Sequence, residues 1–400
     1  MSDTSFQKCR DLEIVEKGGE VKHLNIISKK EATWKGKRVN LEYEKKERSL
    51  IMKTIVSIVC ILVLFITVNM ASAAQYTGKN IQAKFASAEI EGDFMTVWGR
   101  KFADHMKKWS EGKIDITVYP LGTLGSTLDI QESAQRGVVQ FVLSASGWIS
   151  ALVPQAQVLT LNYLYPTEKV TEVQDWIVRN GEFMPLMEKA FKKNNLVPLG
   201  MFNLGWMCLT SKKEIKSLDD MKGLKLRLMS AKLLVENYRA YGAAPTPMGF
   251  GEVYSGLQMG LIDAQINPIW AIYSMKFYEV QNYITLLKNE MAVGIPSVNK
   301  QFFETLPENV QQEVRKFWRG EIIPAGKFID ELIDVDRAKI EKSRPKIKFN
   351  VLDDAKIATF KARAEKVYPK YVEIGGEGSQ EILDALLKDI NKAKKDLGIK

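Results

Sequence analysis

The chain has 400 residues, 46% of them apolar, which is enough for two or three domains around a real core. Its formal net charge of +9 is spread along the sequence, and the absence of a clustered basic stripe with interleaved aromatics argues against nucleic-acid binding. Of three cysteines only Cys208 lies outside the N-terminal targeting material described next, so no internal disulfide is expected and the fold must hold by its core.

Residues 1–51 are polar and charged without a sustained helical or strand period. A start assigned upstream of the true one explains them best; a tethered cytoplasmic domain is the weaker alternative, because so short and polar a segment buries little apolar surface. Met52 opens what reads as a Sec-type signal peptide, with Lys53, an apolar stretch from Ile55 to Val68, and Ala71-Ser72-Ala73 before Ala74. That stretch is shorter than the roughly 20 apolar residues of a membrane-spanning helix. Cleavage after Ala73 and a periplasmic mature protein are therefore expected, and Cys60 lacks the preceding small residues of a lipidated cysteine. Setting residues 1–73 aside removes 13 of the 57 basic and 9 of the 48 acidic residues, leaving a mildly basic net charge of +5.

From Ile81 two periodicities alternate. Ile81, Ala83 and Phe85 repeat at period two, then Phe94, Trp98, Phe102, Met106 and Trp109 at helical spacing, stopped by Gly112. A second strand carries Ile114, Ile116 and Val118, a helix spans Thr127 to Arg136, and Val138 to Leu143 is a continuous apolar run. The βαβαβ order predicts a parallel sheet with helices on its faces. A second set begins with a strand at Val197 to Phe202, another at Leu224 to Leu228, a helix at Lys232 to Tyr241, a short helix holding Phe250, Val253, Tyr254 and Leu257, and a strand at Leu261 to Ile266. No Gly/Ser-rich linker separates the sets, which points to two lobes joined by more than one crossing. Pro307 to Ser343 is largely helical, with Pro324 placed to kink or divide it.

Catalytic chemistry is sparse. His105, the one histidine downstream of residue 73, sits beside Lys107 and Lys108 and reads as an exposed helix residue. No metal-ligand spacing and no phosphate-binding loop occurs, so no metal and no cofactor is expected. Cys208 reads as a core thiol, Asp219 and Asp220 as caps, Glu252 and Tyr254 as helix capping and packing, and Lys388, Lys392, Lys394 and Lys395 as a solvated helix face. An enzyme is not expected.

The informative stretch is Met221 to Pro268, MKGLKLRLMS followed by GAAPTPMGFGEVYSGLQMGLIDAQINP. It resembles the solute-binding subunits of tripartite ATP-independent periplasmic (TRAP) transporters, and the likeness extends to Lys101 to Pro120, Leu121 to Gly125, Pro154 to Pro166 and Lys276 to Gln281. The resemblance implies a two-lobed α/β periplasmic binding protein, each lobe a mainly parallel sheet flanked by helices, with the ligand in the interlobe cleft and a long helix spanning the hinge. Residues 74–204 plus 293–332 are expected in the first lobe and 205–292 plus 333–400 in the second. Its implied partners are a small organic acid and the small and large integral membrane subunits, which couple uptake to an ion gradient; a monomer is expected. By the same resemblance Arg227 makes a bidentate salt bridge to the ligand carboxylate, Asn267 adds a hydrogen bond, and Phe250 packs beside the ligand.

The residues themselves agree in part. Arg227 lies opposite the face carrying Leu224, Leu226 and Leu228, near the carboxyl end of its strand, where ligands bind in open α/β sheets. A guanidinium fits a carboxylate in a way that lysine does not. Taken alone, Arg227 reads as a surface salt-bridge residue, and Asn267 before Pro268 as a turn residue.

The sequence also departs from the sialic-acid branch of the family. Met207 stands where that branch has a second arginine, and Ala145 where it has an acidic residue. Trp148, Trp206 and Trp270 stand nearby, so the pocket is expected to be apolar and to favour a monocarboxylate with an apolar or aromatic body. A dicarboxylate, a sugar acid, or a sensory role feeding a signalling receptor are the alternatives. Glu89, after the first strand, is a candidate partner for a ligand amine or hydroxyl. Micromolar affinity needs about 8 kcal/mol, and charged hydrogen bonds give roughly 1.5 to 3 kcal/mol each. Burying about 150 Å² of apolar ligand adds roughly 4 kcal/mol, so specificity must come from the aromatic wall.

Overall fold

The computed structural model describes residues 76–399, with Met52 as a single upstream residue. The extension at 1–51 and the leader expected at 52–73 lie outside the described residues. The first cycle forms as the periodicities require. β1 (Ile81–Ser87) pairs in parallel with β2 (Ile114–Tyr119) and β3 (Phe141–Ala145). The helix Phe94–Trp109 lays Phe94, Trp98, Phe102 and Met106 onto them, one residue per turn. Phe85 and Phe102 then close over Trp318, which is fully buried.

The later strands are β4 (Leu196–Pro198), β5 (Phe202–Ser211), β6 (Lys225–Leu228), β7 (Ala244–Pro247), β8 (Ala264–Asn267), β9 (Tyr283–Asn299) and β10 (Lys348–Val351). Together the described strands form one ten-stranded sheet in the order β2-β1-β3-β9-β5-β8-β6-β7, with β4 and β10 also paired to β9. Each lobe keeps its parallel set, β2-β1-β3 and β8-β6-β7. The two sets are stitched together by β5 and β9, which run antiparallel to each other.

Several expectations are corrected. The strand read at Val197 to Phe202 is two strands, because Leu199 to Met201 leave the sheet between them. β9, the longest strand at 17 residues, was not legible: it is buried along most of its length, so it does not alternate, and Lys288, Glu290 and Pro296 interrupt its apolar run. It pairs with β10 through its first residues, with β5 from Tyr283 to Gly294, and with β3 and β4 through its last. Between these parts Cys208 pairs with Leu286 but Trp206 pairs with Met291, so β9 bulges around Lys288, whose φ is +46°.

Residues 308–343 divide near Pro324 into the helices Glu308–Gly320 and Ile322–Ser343. The proline falls in the first turn of the second, where its missing N–H is tolerated. This helix of 22 residues packs on β5 and on the helices Ile269–Ser274 and Val170–Asn180, the place expected of the hinge-spanning helix. The expected assignment of all of 333–400 to the second lobe is corrected at its end. Tyr368 and Tyr371 donate to the carbonyls of Asn162 and Gln155, Asp389 accepts from the Phe183 N–H at 2.8 Å, and Trp176 donates to Asp396. The chain thus crosses back, and the helix Ser379–Asp396 covers first-lobe helices.

His105 is corrected from an exposed residue to a half-buried one, 2.8 Å from Glu313 and packed on Phe317. Asp220 caps Ser217, Glu252 accepts from the Gly249 N–H, and Tyr254 donates to Glu279. Among the described residues no helix is long and apolar enough to cross a membrane.

Candidate functional site

Where the two strand sets meet, a tightly closed cavity of about 40 Å³ lies between them. Ala88, Glu89, Met95, Ala145 and Trp148 line it from the first lobe. Met207, Arg227, Met229, Phe250, Asn267 and Trp270 face them from the second, with Leu204, Pro268 and Ala292 completing the wall.

β6 builds the cationic end. Leu226 and Leu228 point into the core at 0% exposure, so strand alternation turns Arg227 to the cleft. The guanidinium is nevertheless buried, at 1% exposure. Its Nε and Nη2 both donate to the Met248 carbonyl, at 3.0 and 2.8 Å, which fixes the plane of the group. The rings of Trp148 and Phe250 lie 5.6 and 6.0 Å from its central carbon, within cation–π range. No acid of the described residues forms an ion pair with Arg227, and Nη1 has no partner among them. Burial pushes its pKa down to about 9, against a weaker pull upward from Glu252, so it stays a cation at neutral pH. Asn267 ends β8 beside it, its amide donating to Gln265, which in turn donates to Thr210 at 3.1 Å.

The opposite end is acidic. Glu89 follows β1 and is 3% exposed; its Oε2 accepts from the Met95 N–H at 2.6 Å in the first turn of the helix Phe94–Trp109. Asp93, just before that helix, is also buried and accepts from the Ser274 hydroxyl at 2.9 Å, a contact from the first lobe to the second. Burial, reinforced by the charge of Asp93, holds Glu89 well above the usual carboxylate range. Burial likewise lifts Asp93 to about 7, opposed by the Ser274 hydrogen bond and helped by Asp336. Neither acid pairs with a lysine or arginine among the described residues. The buried guanidinium is left without an ion-pair partner, a costly state unless a guest supplies one, whereas the acids can hold protons instead.

The walls between are apolar. Trp270 is held by its Nε1 donating to the Leu204 carbonyl at 2.7 Å, and Met95, Met207 and Met229 supply adaptable surface. The structure thus brings together Glu89, Ala145, Trp148, Met207, Arg227, Phe250, Asn267 and Trp270. It does not bring Trp206 into the cavity. Trp206 lines a separate apolar pocket with Cys208, Leu286 and Ile333, and Met207 borders both.

Sequence reasoning missed Asp93, Met95 and Met229. Met229 could have been found, since it lies two residues from Arg227 on the same face. Cys208 is buried and its thiol is pushed up to about 12, which leaves it inert. Among the described residues no group of His, Cys, Asp and Glu is arranged to hold a metal ion.

Residues 90–374 match the family described as bacterial extracellular solute-binding protein, family 7. The ectoine/5-hydroxyectoine-binding periplasmic protein UehA of Ruegeria pomeroyi is 33% identical over 315 residues, 77% of this chain and 90% of the relative. The ectoine-binding periplasmic protein TeaA of Halomonas elongata is 33% identical over 78% of this chain and 91% of its own. The solved structure of the ectoine-binding protein from the TeaABC TRAP transporter of that organism superposes with a TM-score of 0.74, covering 78% of this chain and 99% of that one. An apo, open TRAP solute-binding protein from Marinobacter aquaeolei, 26% identical, gives a TM-score of 0.71 over 77% of this chain and 100% of the other.

Proposed function

Since the chain belongs to the family 7 bacterial extracellular solute-binding proteins, and works in the periplasm as the binding subunit of a TRAP transporter beside small and large membrane subunits, we propose that its ligand is a small zwitterionic monocarboxylate with a flat, mainly apolar ring, of the ectoine type. One observation carries this reading: a buried guanidinium with no ion-pair partner among the described residues faces the buried Glu89, likewise without a cation, across an aromatic cavity. The carboxylate of the guest takes the free edge of Arg227 and a hydrogen bond from Asn267. Its cationic end takes Glu89, with Asp93 behind, and its ring lies against Trp148, Phe250 and Trp270.

A simple dicarboxylate finds no second lysine or arginine in the lining for its other charge, and a sugar acid meets too few polar groups for its hydroxyls. The 33% identity to two ectoine-binding relatives supports the same class. Isothermal titration with ectoine, 5-hydroxyectoine, succinate and galacturonate tests it. Saturable heat with the two zwitterions and none with the other two is expected. Binding of succinate or galacturonate in their place overturns the ligand assignment.

A further inference from the structure

Away from the cleft, a groove of about 760 Å³ runs along the first lobe. The helix Phe183–Lys193 turns Pro185, Glu188, Lys189 and Lys192 to it at the i, i+3, i+4, i+7 spacing of one helical face. The helix Glu308–Gly320 contributes Arg315 and Arg319 from the other wall, and Arg179 and Lys193 complete a set of six cations. Asp175 holds Arg179 at 2.8 Å and Glu377 holds Lys193 at 2.9 Å from outside the lining, and within it the one carboxylate is Glu188. It is already held by Arg315 at 3.1 and 3.2 Å and by Lys192 at 2.7 Å. Lys189 and Arg319 are exposed and form no ion pair among the described residues. Arg179 donates to the Arg319 carbonyl at 2.9 Å, tying the two walls together. The floor is apolar: Val178, Pro198 and Leu199.

Nothing in ligand capture uses this groove, and every residue lining it belongs to one lobe. Its shape therefore stays the same whether the cleft is open or closed. Its cations are recessed along a concave face, which suits a protruding chain better than a flat bilayer. The apolar floor suits side chains that flank acidic ones.

We propose that the groove docks an acidic segment projecting from a membrane subunit of the transporter, and that this contact forms with empty and loaded protein alike. Exposed ion pairs contribute only about 0.2 to 1 kcal/mol each and act over a screening length of about 8 Å at physiological salt. Several must act together, and the contact must weaken as salt rises.

The test uses the membrane subunits that belong with this protein, reconstituted in phosphatidylcholine nanodiscs, with binding measured by interferometry in the absence of any solute. Its outcome is thus independent of which ligand the cleft takes. The Lys189→Glu/Arg319→Glu variant is expected to bind these discs at least about tenfold more weakly than the parent at low salt, and Lys189→Gln/Arg319→Gln by a smaller factor. Both substitutions are on exposed side chains, so the melting temperature stays within about 2 °C. Undiminished affinity of the charge-reversed variant overturns the proposal. So does equal binding of the parent to subunit-free phosphatidylglycerol discs that the variant loses, which would assign the groove to lipid headgroups.

Discussion

Arg227 stands in a strand paired on both sides, whereas Glu89 stands in the turn that leaves β1, and the two ends of the cleft differ accordingly in what they can do. The guanidinium keeps its charge throughout the neutral range, because even after burial its pKa is about 9. The acids do not: burial has brought Asp93 to about 7 and raised Glu89 as well. An empty site can therefore quiet its acidic end by holding protons, but it has no such option at Arg227. Under the proposed ligand assignment, the anion end of the cleft is fixed in charge and the other end is adjustable.

Four measurements break or sharpen that contrast. Arg227→Gln removes the fixed end and is expected to weaken ligand binding by about 100-fold or more, read by calorimetry. Arg227→Lys should recover little of it, for want of a planar fork. Glu89→Gln tests the other end: a zwitterion should lose about 10- to 30-fold in affinity, while a ring carboxylate without a cation should change by less than about threefold. Equal losses for both would mean that no cation sits there.

The third measurement follows pH. Asp93 has its folded pKa raised from 3.8 to about 7, so its stabilising contribution is complete below the lower value and is lost as pH rises through the higher one. The melting temperature of the empty protein should fall by a few °C, on the order of 3, between about pH 5 and 8, and Asp93→Asn should flatten that slope. The smallest effect is expected from Trp206→Ala, with less than about a twofold change in affinity, because it lines a separate pocket. A large loss there would redraw the cavity.

Much of this was legible where one face of an element is buried and the other is not. The stripe Phe94, Trp98, Phe102, Met106 and the alternation around Arg227 were of that kind. β9 was not, because a strand covered on both faces has no alternation to detect, and its partners lie far away in sequence. Trp206 could not be placed from the sequence, because β5 loses its regular register on both sides of it. Asp93 escaped because its role depends on Ser274, 181 residues later, which no local pattern announces. Arg227, Asn267 and Phe250 came instead from the family resemblance of the surrounding stretch.

β9 has a mechanical consequence. One strand of 17 residues serves both lobes, paired at each end, with its register against β5 broken around Lys288 and again between Met291 and Val293. Such a ribbon acts as a torsion bar: twisting one end against the other loads the irregular stretch and leaves the paired ends intact. Opening and closing then need no bond rupture along either half. Deuterium uptake at the amides of 287–291 should report the state of the cleft, being quicker in the empty protein than in the filled one.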